Sequence, residues 1–413
     1  MWKTIILLTI IGLVTADKAT FHNYKVFRIT PTTQTQVELL HRLMEIPNEF
    51  TFWKEPTSVN TEADLMVAPH KLSTFYEIIS RIKAPHKVYI ENVQALVDRT
   101  TSANQTASFD FYNYHSLWEI YKNLDELAIK YPNTVKVIVG GKTSEGREIK
   151  GVKISFNASN PGIFIEGGNH AREWISPATV MYILHELLTS TDRDVTSLAI
   201  SHDWYIFPVF NPDGYVYTHI TDRMWRKTRE LHGLLCRGTD PNRNWGYKWN
   251  RRGSSMFQCS ETYAGNAPFS AIETRTMSEY IRSISDKFYA YISFHSYSQL
   301  LMFPYGYTTA HLENYEDLYD IAAKSVAALK KRYGTEYRYG DIAETIYVAT
   351  GSTADYVKGV CRTPIVYVYE LRDQGRYGFL LPPEQIIPTG EETLNSLVAM
   401  FKEAKAHGYP KSD

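Results

Sequence analysis

Between residues 24 and 93 the apolar positions switch repeatedly between a two-residue and a three-to-four-residue period. Residues 24–29 alternate as a strand does, whereas Val37, Leu40, Leu43 and Met44 fall on one face of a helix over 34–46. Residues 50–53 and 63–67 read as strands, 72–82 as a second amphipathic helix, and 88–90 as a last strand. The order β-α-β-β-α-β predicts a small α+β, ferredoxin-like (split βαβ) domain. No group of His, Cys or paired acids stands there at ligand spacing, so this domain is expected to carry no chemistry of its own. Residues 97–104 then break the pattern; they are small and polar, contain Arg99, and suit a cleavable linker between two domains.

From about residue 109 onward, short β-branched or aromatic runs alternate with longer helical patterns. Strands are predicted over 135–139, 149–154, 163–166, 204–207, 291–294 and 364–370. Helices are predicted over 117–130, 178–189, 271–284, 316–333 and 391–407. That alternation argues for an α/β fold, a mixed and largely parallel sheet with helices on both faces. In such sheets functional groups gather beyond the carboxyl ends of the strands.

Composition narrows the picture. With 413 residues, 44% of them hydrophobic and 22% charged, the chain has room for a small domain and a larger one and reads as globular. A net charge of −1 gives no sign of nucleic acid or an anionic membrane as the main partner. Lys3, the apolar run 5–14 and the small residues Val14 and Ala16 have the pattern of a secretory signal peptide over 1–16. No later segment has the length and apolarity of a membrane span, so the mature protein is expected free in solution outside the cell. Export implies an oxidising compartment. Cys236 and Cys259 bracket a stretch that looks like a long loop, which a bridge would restrain, while Cys361 suits a buried free thiol. Asn104 and Asn157 begin Asn-x-Ser/Thr triplets, which could carry glycans.

The candidate chemistry lies at strand ends. Gly167-Gly168-Asn169-His170-Ala171-Arg172-Glu173-Trp174 follows the strand 163–166, and its glycines permit a sharp turn. His170 and Glu173, three apart in that turn, could bind zinc from one side; alone, His-x-x-Glu is a common surface pattern. His295, where another apolar strand ends, offers a third ligand and leaves one position for water. Glu370 closes a third apolar strand, and a carboxylate there is either ion-paired or a base. Arg223-Met224-Trp225-Arg226 and Asp240-Pro241-Asn242-Arg243-Asn244-Trp245 supply charges that can bind a carboxylate or steady an oxyanion.

With these separated motifs in this order, the chain resembles the zinc metallocarboxypeptidases of the pancreatic carboxypeptidase A and B type. The resemblance runs from the first domain to Gly375-Arg376-Tyr377-Gly378-Phe379-Leu380-Leu381-Pro382. It implies an α/β/α sandwich around a mixed eight-stranded sheet, one zinc ion, a monomer once activated, and an inhibitory propeptide removed by a trypsin-like protease. By that resemblance His170, Glu173 and His295 hold zinc, Glu370 is the general base and Arg226 polarises the scissile carbonyl. Asn242, Arg243 and Tyr347 hold the terminal carboxylate, and Arg172, Tyr297 and Phe379 make outer substrate contacts. Asp240 orients the first zinc histidine, and Cys236 pairs with Cys259. The divisions implied are a signal peptide over 1–16, an activation propeptide over 17–99 cut at Arg99, and a catalytic domain over 100–413.

Specificity in the family is read just before Asp355, where basic-specific members carry an acid and this chain has Ala354. Ile342, Met302, Ile346 and Ala349 match other pocket positions and are apolar. Such a pocket would leave a Lys or Arg charge unpaired, which favours aromatic and aliphatic C-terminal residues. Asp341 lies close enough in sequence to keep a B-type, Lys/Arg-removing enzyme as the alternative. Ser352 stands where the family usually has Gly. A catalytically silent peptide-binding relative would have lost a ligand or the base, and none is lost; a serine hydrolase would be expected to show a Gly-x-Ser-x-Gly elbow, which is not found.

Overall fold

The computed structural model describes residues 18–44, 50–101, 108–157 and 159–411. The signal-peptide reading of 1–16 and the glycan reading of Asn104 fall outside the described residues.

The N-terminal domain runs β1 (Lys25–Ile29), α1 (Gln34–Met44), β2 (Thr51–Lys54), β3 (Ala63–Val67), α2 (Leu72–Ile82) and β4 (His86–Ile90). Its sheet has the order β2-β3-β1-β4, with every pair antiparallel. One face of this sheet closes on both helices through Phe27, Leu40, Phe52, Leu65, Phe75 and Ile79. The other face does not reach water. Val26, Trp53, Met66 and Ile90 share a second cluster with Met224, Tyr297, Phe379 and Leu380 of the larger domain.

The first part of the segment expected as a linker is regular. Val93–Thr101 is a helix, α3. Val93 and Val97 are buried in the same interdomain cluster, and burial on one face is what holds so short a polar segment helical. Arg99 lies in the last turn of α3 with about half its side chain exposed, 3.2 Å from Glu384 Oε1 and over the Tyr377 ring.

The larger domain begins with α4 (Leu117–Lys130), whose Ser116 forms a reciprocal capping box with Glu119. Strands β5 (Val135–Lys142), β6 (Glu148–Ile154) and β7 (Gly162–Glu166) follow, then α5 (Ile175–Thr189), α6 (Arg193–Ile200), β8 (Asp203–Phe207) and α7 (Pro212–Ile220). A two-stranded ribbon, β9 (Leu231–His232) and β10 (Cys236–Arg237), precedes α8 (Ile272–Ser283), β11 (Phe288–Ser296) and β12 (Leu300–Phe303). The chain ends with α9 (Tyr315–Tyr333), β13 (Arg338–Asp341), α10 (Ile342–Thr345), α11 (Thr353–Gly359), β14 (Ile365–Leu371) and α12 (Ile386–Ala406).

Eight of these strands form one mixed sheet in the order β13-β12-β14-β11-β7-β8-β6-β5. The central four, β14, β11, β7 and β8, are parallel; β6 and β5 add antiparallel on one side and β12 antiparallel to β14 on the other. Helices α4, α5, α9 and α12 cover one face, while α8 and α11 with Trp245 cover the other. Every residue of β7, β8 and β11 is buried, as expected of parallel strands covered on both faces.

Cys236 and Cys259 form a disulfide across a Cα separation of 4.9 Å, and Cys361 is free and half-buried. By loop-closure entropy, Cys259→Ser should lower stability by about 3 kcal/mol. Denaturant unfolding under non-reducing conditions measures this; an unchanged midpoint would mean that the loop is held by its other contacts.

Candidate active site

Strand β7 ends at Glu166, and the turn after it demands glycine. Gly168 has φ 63°, and a Cβ there would lie 3.0 Å from Val209 Cα. The turn delivers His170 and Glu173 into the interior, both nearly fully buried. Strand β11, hydrogen-bonded beside β7, carries His295 near its end, also buried. His170 Nδ1 lies 2.8 Å from Glu173 Oε1 and 3.1 Å from His295 Nδ1, and His295 Nδ1 is 3.1 Å from Glu173 Oε2.

Behind this group, His170 Nε2 lies 3.1 Å from Asp240 Oδ1, and the other Asp240 oxygen accepts from Arg226 Nη2 at 2.8 Å and Nε at 3.2 Å. Burial alone would push Asp240 up, but the Arg226 guanidinium and His170 outweigh it and hold the carboxyl well below its ordinary range. An ionised Asp240 takes the Nε2 proton of His170 as a hydrogen bond, which leaves the Nδ1 lone pair directed at Glu173 and His295. Two imidazoles and a carboxylate, with ligand atoms within 4.8 Å of one another, fit a zinc ion with a fourth position open.

Glu370 stands opposite His295 in the β11–β14 ladder and faces the same cavity. Enclosure pushes its carboxyl up to about 8, with Glu173 adding to the rise and His295, Arg226 and Arg243 opposing it. Arg243 is 4% exposed and held in place by Nε donating to Gly253 O at 2.7 Å, Nη1 to Asn242 O at 2.9 Å and Nη2 to Tyr347 Oη at 2.9 Å. Asn242 accepts from Thr353 N at 3.1 Å. Arg172 lies over the Phe379 ring at 4.2 Å and pairs with Glu261 at 3.2 Å, while the Tyr297 ring meets Phe379 at 5.0 Å. These residues share one cavity of about 190 Å³. The structure therefore brings together all the residues singled out around the zinc group, the base and the carboxylate grip.

The first domain packs against this cavity, although among the described residues it supplies no cluster of its own at ligand spacing. Phe52, Trp53 and Glu55 line the cavity from its side. Trp53 packs on Phe379 at 5.7 Å, and Tyr297 Oη donates to Asp64 Oδ2 at 2.9 Å. Arg28 grips Asp64 with two bonds of 2.7 and 2.8 Å and donates to Gln374 O at 3.1 Å. Gly375, at φ 102°, admits this approach: a Cβ there would lie 2.3 Å from Arg28 Nη2. Arg28 and Asp64 sit on neighbouring strands at partner positions, a pairing with no local motif to reveal it.

On the specificity side, Met302, Ile342, Ile346, Ala349 and Ala354 line the cavity together with Val368, which the motifs did not point to. Asp341 does not line it. It caps α10, accepting from Glu344 N at 2.9 Å, and is 4% exposed. Asp355 is buried behind Ala354, accepts from Gly306 N at 2.8 Å and Tyr307 N at 3.0 Å, and is pushed up to about 7 by burial.

Residues 120–396 match the zinc carboxypeptidase family, and residues 27–100 match the carboxypeptidase activation peptide. The chain belongs to the zinc carboxypeptidase family. It is 44% identical over 410 residues to zinc carboxypeptidase A 1 of Anopheles gambiae, covering 98% of this chain and 95% of the relative. It is 37% identical to carboxypeptidase A1 of Mus musculus, covering 98% and 100%. The solved carboxypeptidase A of Helicoverpa armigera superposes with a TM-score of 0.85 at 29% identity, covering 95% of this chain and 99% of that one. This is thus a zinc metallocarboxypeptidase of the A type, made with an activation peptide.

In this carboxypeptidase, Asp240→Asn should weaken zinc retention by about 10–100-fold, because the His170 tautomer is no longer fixed. Zinc content after dialysis against a graded chelator measures this; retention equal to the parent would remove Asp240 from the account.

Proposed function

We propose that the chain is an exported zymogen whose activation segment, 17–99, is released by trypsin-like cleavage at Arg99. The catalytic domain, 100–413, then hydrolyses the C-terminal peptide bond of peptides and proteins that end in aromatic or aliphatic residues. The observation that carries this reading is the shared cavity. His170, Glu173 and His295 line it as a close group, and Glu370, Arg226, Asn242 and Arg243 line the same cavity, so one substrate could meet the metal group, the base and a grip on its terminal carboxylate.

When bound at His170, Glu173 and His295, zinc supplies a Lewis acid and lowers the pKa of a coordinated water to about 7. Glu370, facing the same cavity, takes a proton at a carboxylate oxygen and hands it to the departing amine. Arg226, already fixed by Asp240, presents its charge where the scissile carbonyl oxygen becomes negative. Three of the five N–H donors of Arg243 are used internally, which leaves two for a bidentate grip on the terminal carboxylate. That grip restricts cutting to the chain end.

The apolar wall around Ala354 supports the side-chain preference: no Asp or Glu between residues 341 and 355 lines the cavity. A buried Lys or Arg side chain would find no partner there. The activation segment supports latency, since Trp53 and Asp64 occupy the side of the cleft where Phe379 and Tyr297 would meet substrate.

The purified precursor, assayed before and after trypsin on matched blocked dipeptides ending in Phe, Leu, Arg or Glu, tests the proposal. Release of Phe and Leu that appears after trypsin and stops with chelator is expected, and Glu370→Gln should lower kcat by about 10²–10⁴-fold. Preferential release of Arg would overturn the pocket reading and favour the B-type alternative. No release from zinc-loaded, processed protein would favour the silent binding protein.

Asp64→Asn should raise the activity of the uncleaved precursor, because it weakens the Arg28 pair and the Tyr297 bond together. Assaying precursor that carries Arg99→Gln, which blocks the cut, isolates that effect. Unchanged latency would place the inhibition elsewhere in the activation segment.

A further inference from the structure

The geometry points to a second divalent-cation site, formed by His311, Asp341 and Glu344 on the outer side of the segment that walls the specificity pocket. We propose that it takes a first-row transition ion such as Zn2+. His311 comes from the loop before α9, Asp341 ends β13, and Glu344 follows three residues later in α10. Their ligand atoms all lie within 4.8 Å of one another.

Capping alone does not account for Asp341. Its Oδ1 accepts the Glu344 N–H, but its Oδ2 is buried without a hydrogen-bond partner, in a residue only 4% exposed. A buried carboxylate oxygen with no donor is costly, and a second carboxylate beside it adds repulsion. Among the described residues no Lys or Arg forms a salt bridge with either acid, and His311 is the basic side chain beside them. The His311 ring is stacked on Tyr315 at 3.7 Å with an interplanar angle of 4°, which fixes the plane in which its nitrogens lie.

The donor set selects the ion. An imidazole with two carboxylates suits zinc or manganese, whereas calcium and magnesium favour all-oxygen sites. Because His311 and Glu344 are exposed, water completes the coordination, and the site is weaker than the buried catalytic one. None of the three residues lines the catalytic cavity, yet Ile342 and Tyr347 of the same segment do. A cation here therefore ties the His311 loop to the outer side of the wall that meets the substrate side chain and carboxylate.

The test is a calorimetric titration of metal-free full-length precursor with Zn2+, alone and as His311→Ala and Glu344→Gln. Both substituted residues are on the surface, so the variants should fold. Two sites are expected in the parent, with affinity for the weaker one falling at least tenfold in each variant while the tighter one is unchanged. A single equivalent in the parent would overturn the proposal, as would a second equivalent that neither variant weakens. Because the readout is binding and not turnover, it stands or falls separately from the peptidase reading.

Discussion

Hydrogen bonding along the parallel ladder β7–β11–β14 is the constraint from which the site follows. Parallel pairing sets Glu166 level with Ser293 and His295 level with Glu370. Three consecutive strands therefore end side by side, and what each places at or just past its end must meet: the His170–Glu173 turn, His295 and Glu370. Both faces of β7 and β11 are packed, so slipping by one residue would swap their side chains between two differently shaped cores and break the packing that holds the register. No loop has to search for the catalytic arrangement; the sheet presents it.

Charge in so dry a place has to be compensated, and the structure does this in a chain. Arg226 holds Asp240 ionised, Asp240 orients His170, and His170 turns its free nitrogen to the zinc group. Arg243 is fixed by backbone carbonyls and Tyr347. Among the described residues Glu370 has no such clamp, and burial raises its proton affinity. The activation segment extends the same logic outward. It brings its own neutralised pair, Arg28 with Asp64, against Tyr297, and so covers the cleft without leaving a charge stranded.

Long periodic elements were legible from residues alone. Strand β3 and helices α2 and α4 have the limits their apolar spacing predicts; each helix buries one regular face, and the strand buries both. Short ones were not. Strand β13, Arg338–Asp341, carries no strand signature and exists because β12 pairs with it, while β12 itself is a four-residue apolar run without alternation. Helix α7 opens with Pro212-Asp213-Gly214, which reads locally as a turn, and is helical because Asn211 caps it. At the site, residues standing at strand ends in recognisable company could be named in advance. Asp64, Trp53 and Glu261 could not, since they act across a domain boundary or a long separation in sequence. The exclusion of Asp341 from the pocket needed the backbone too, because only the cap of α10 shows which way it faces.

The central claim is that a zinc-dependent group cuts only where Arg243 can hold a free carboxylate. The most direct measurement compares one peptide ending in Leu-Phe as the free acid and as the C-terminal amide, by mass spectrometry after activation, with and without chelator. The account predicts stepwise loss of single residues from the acid, none from the amide, and none from either with chelator. Internal fragments, or equal cutting of acid and amide, would contradict it.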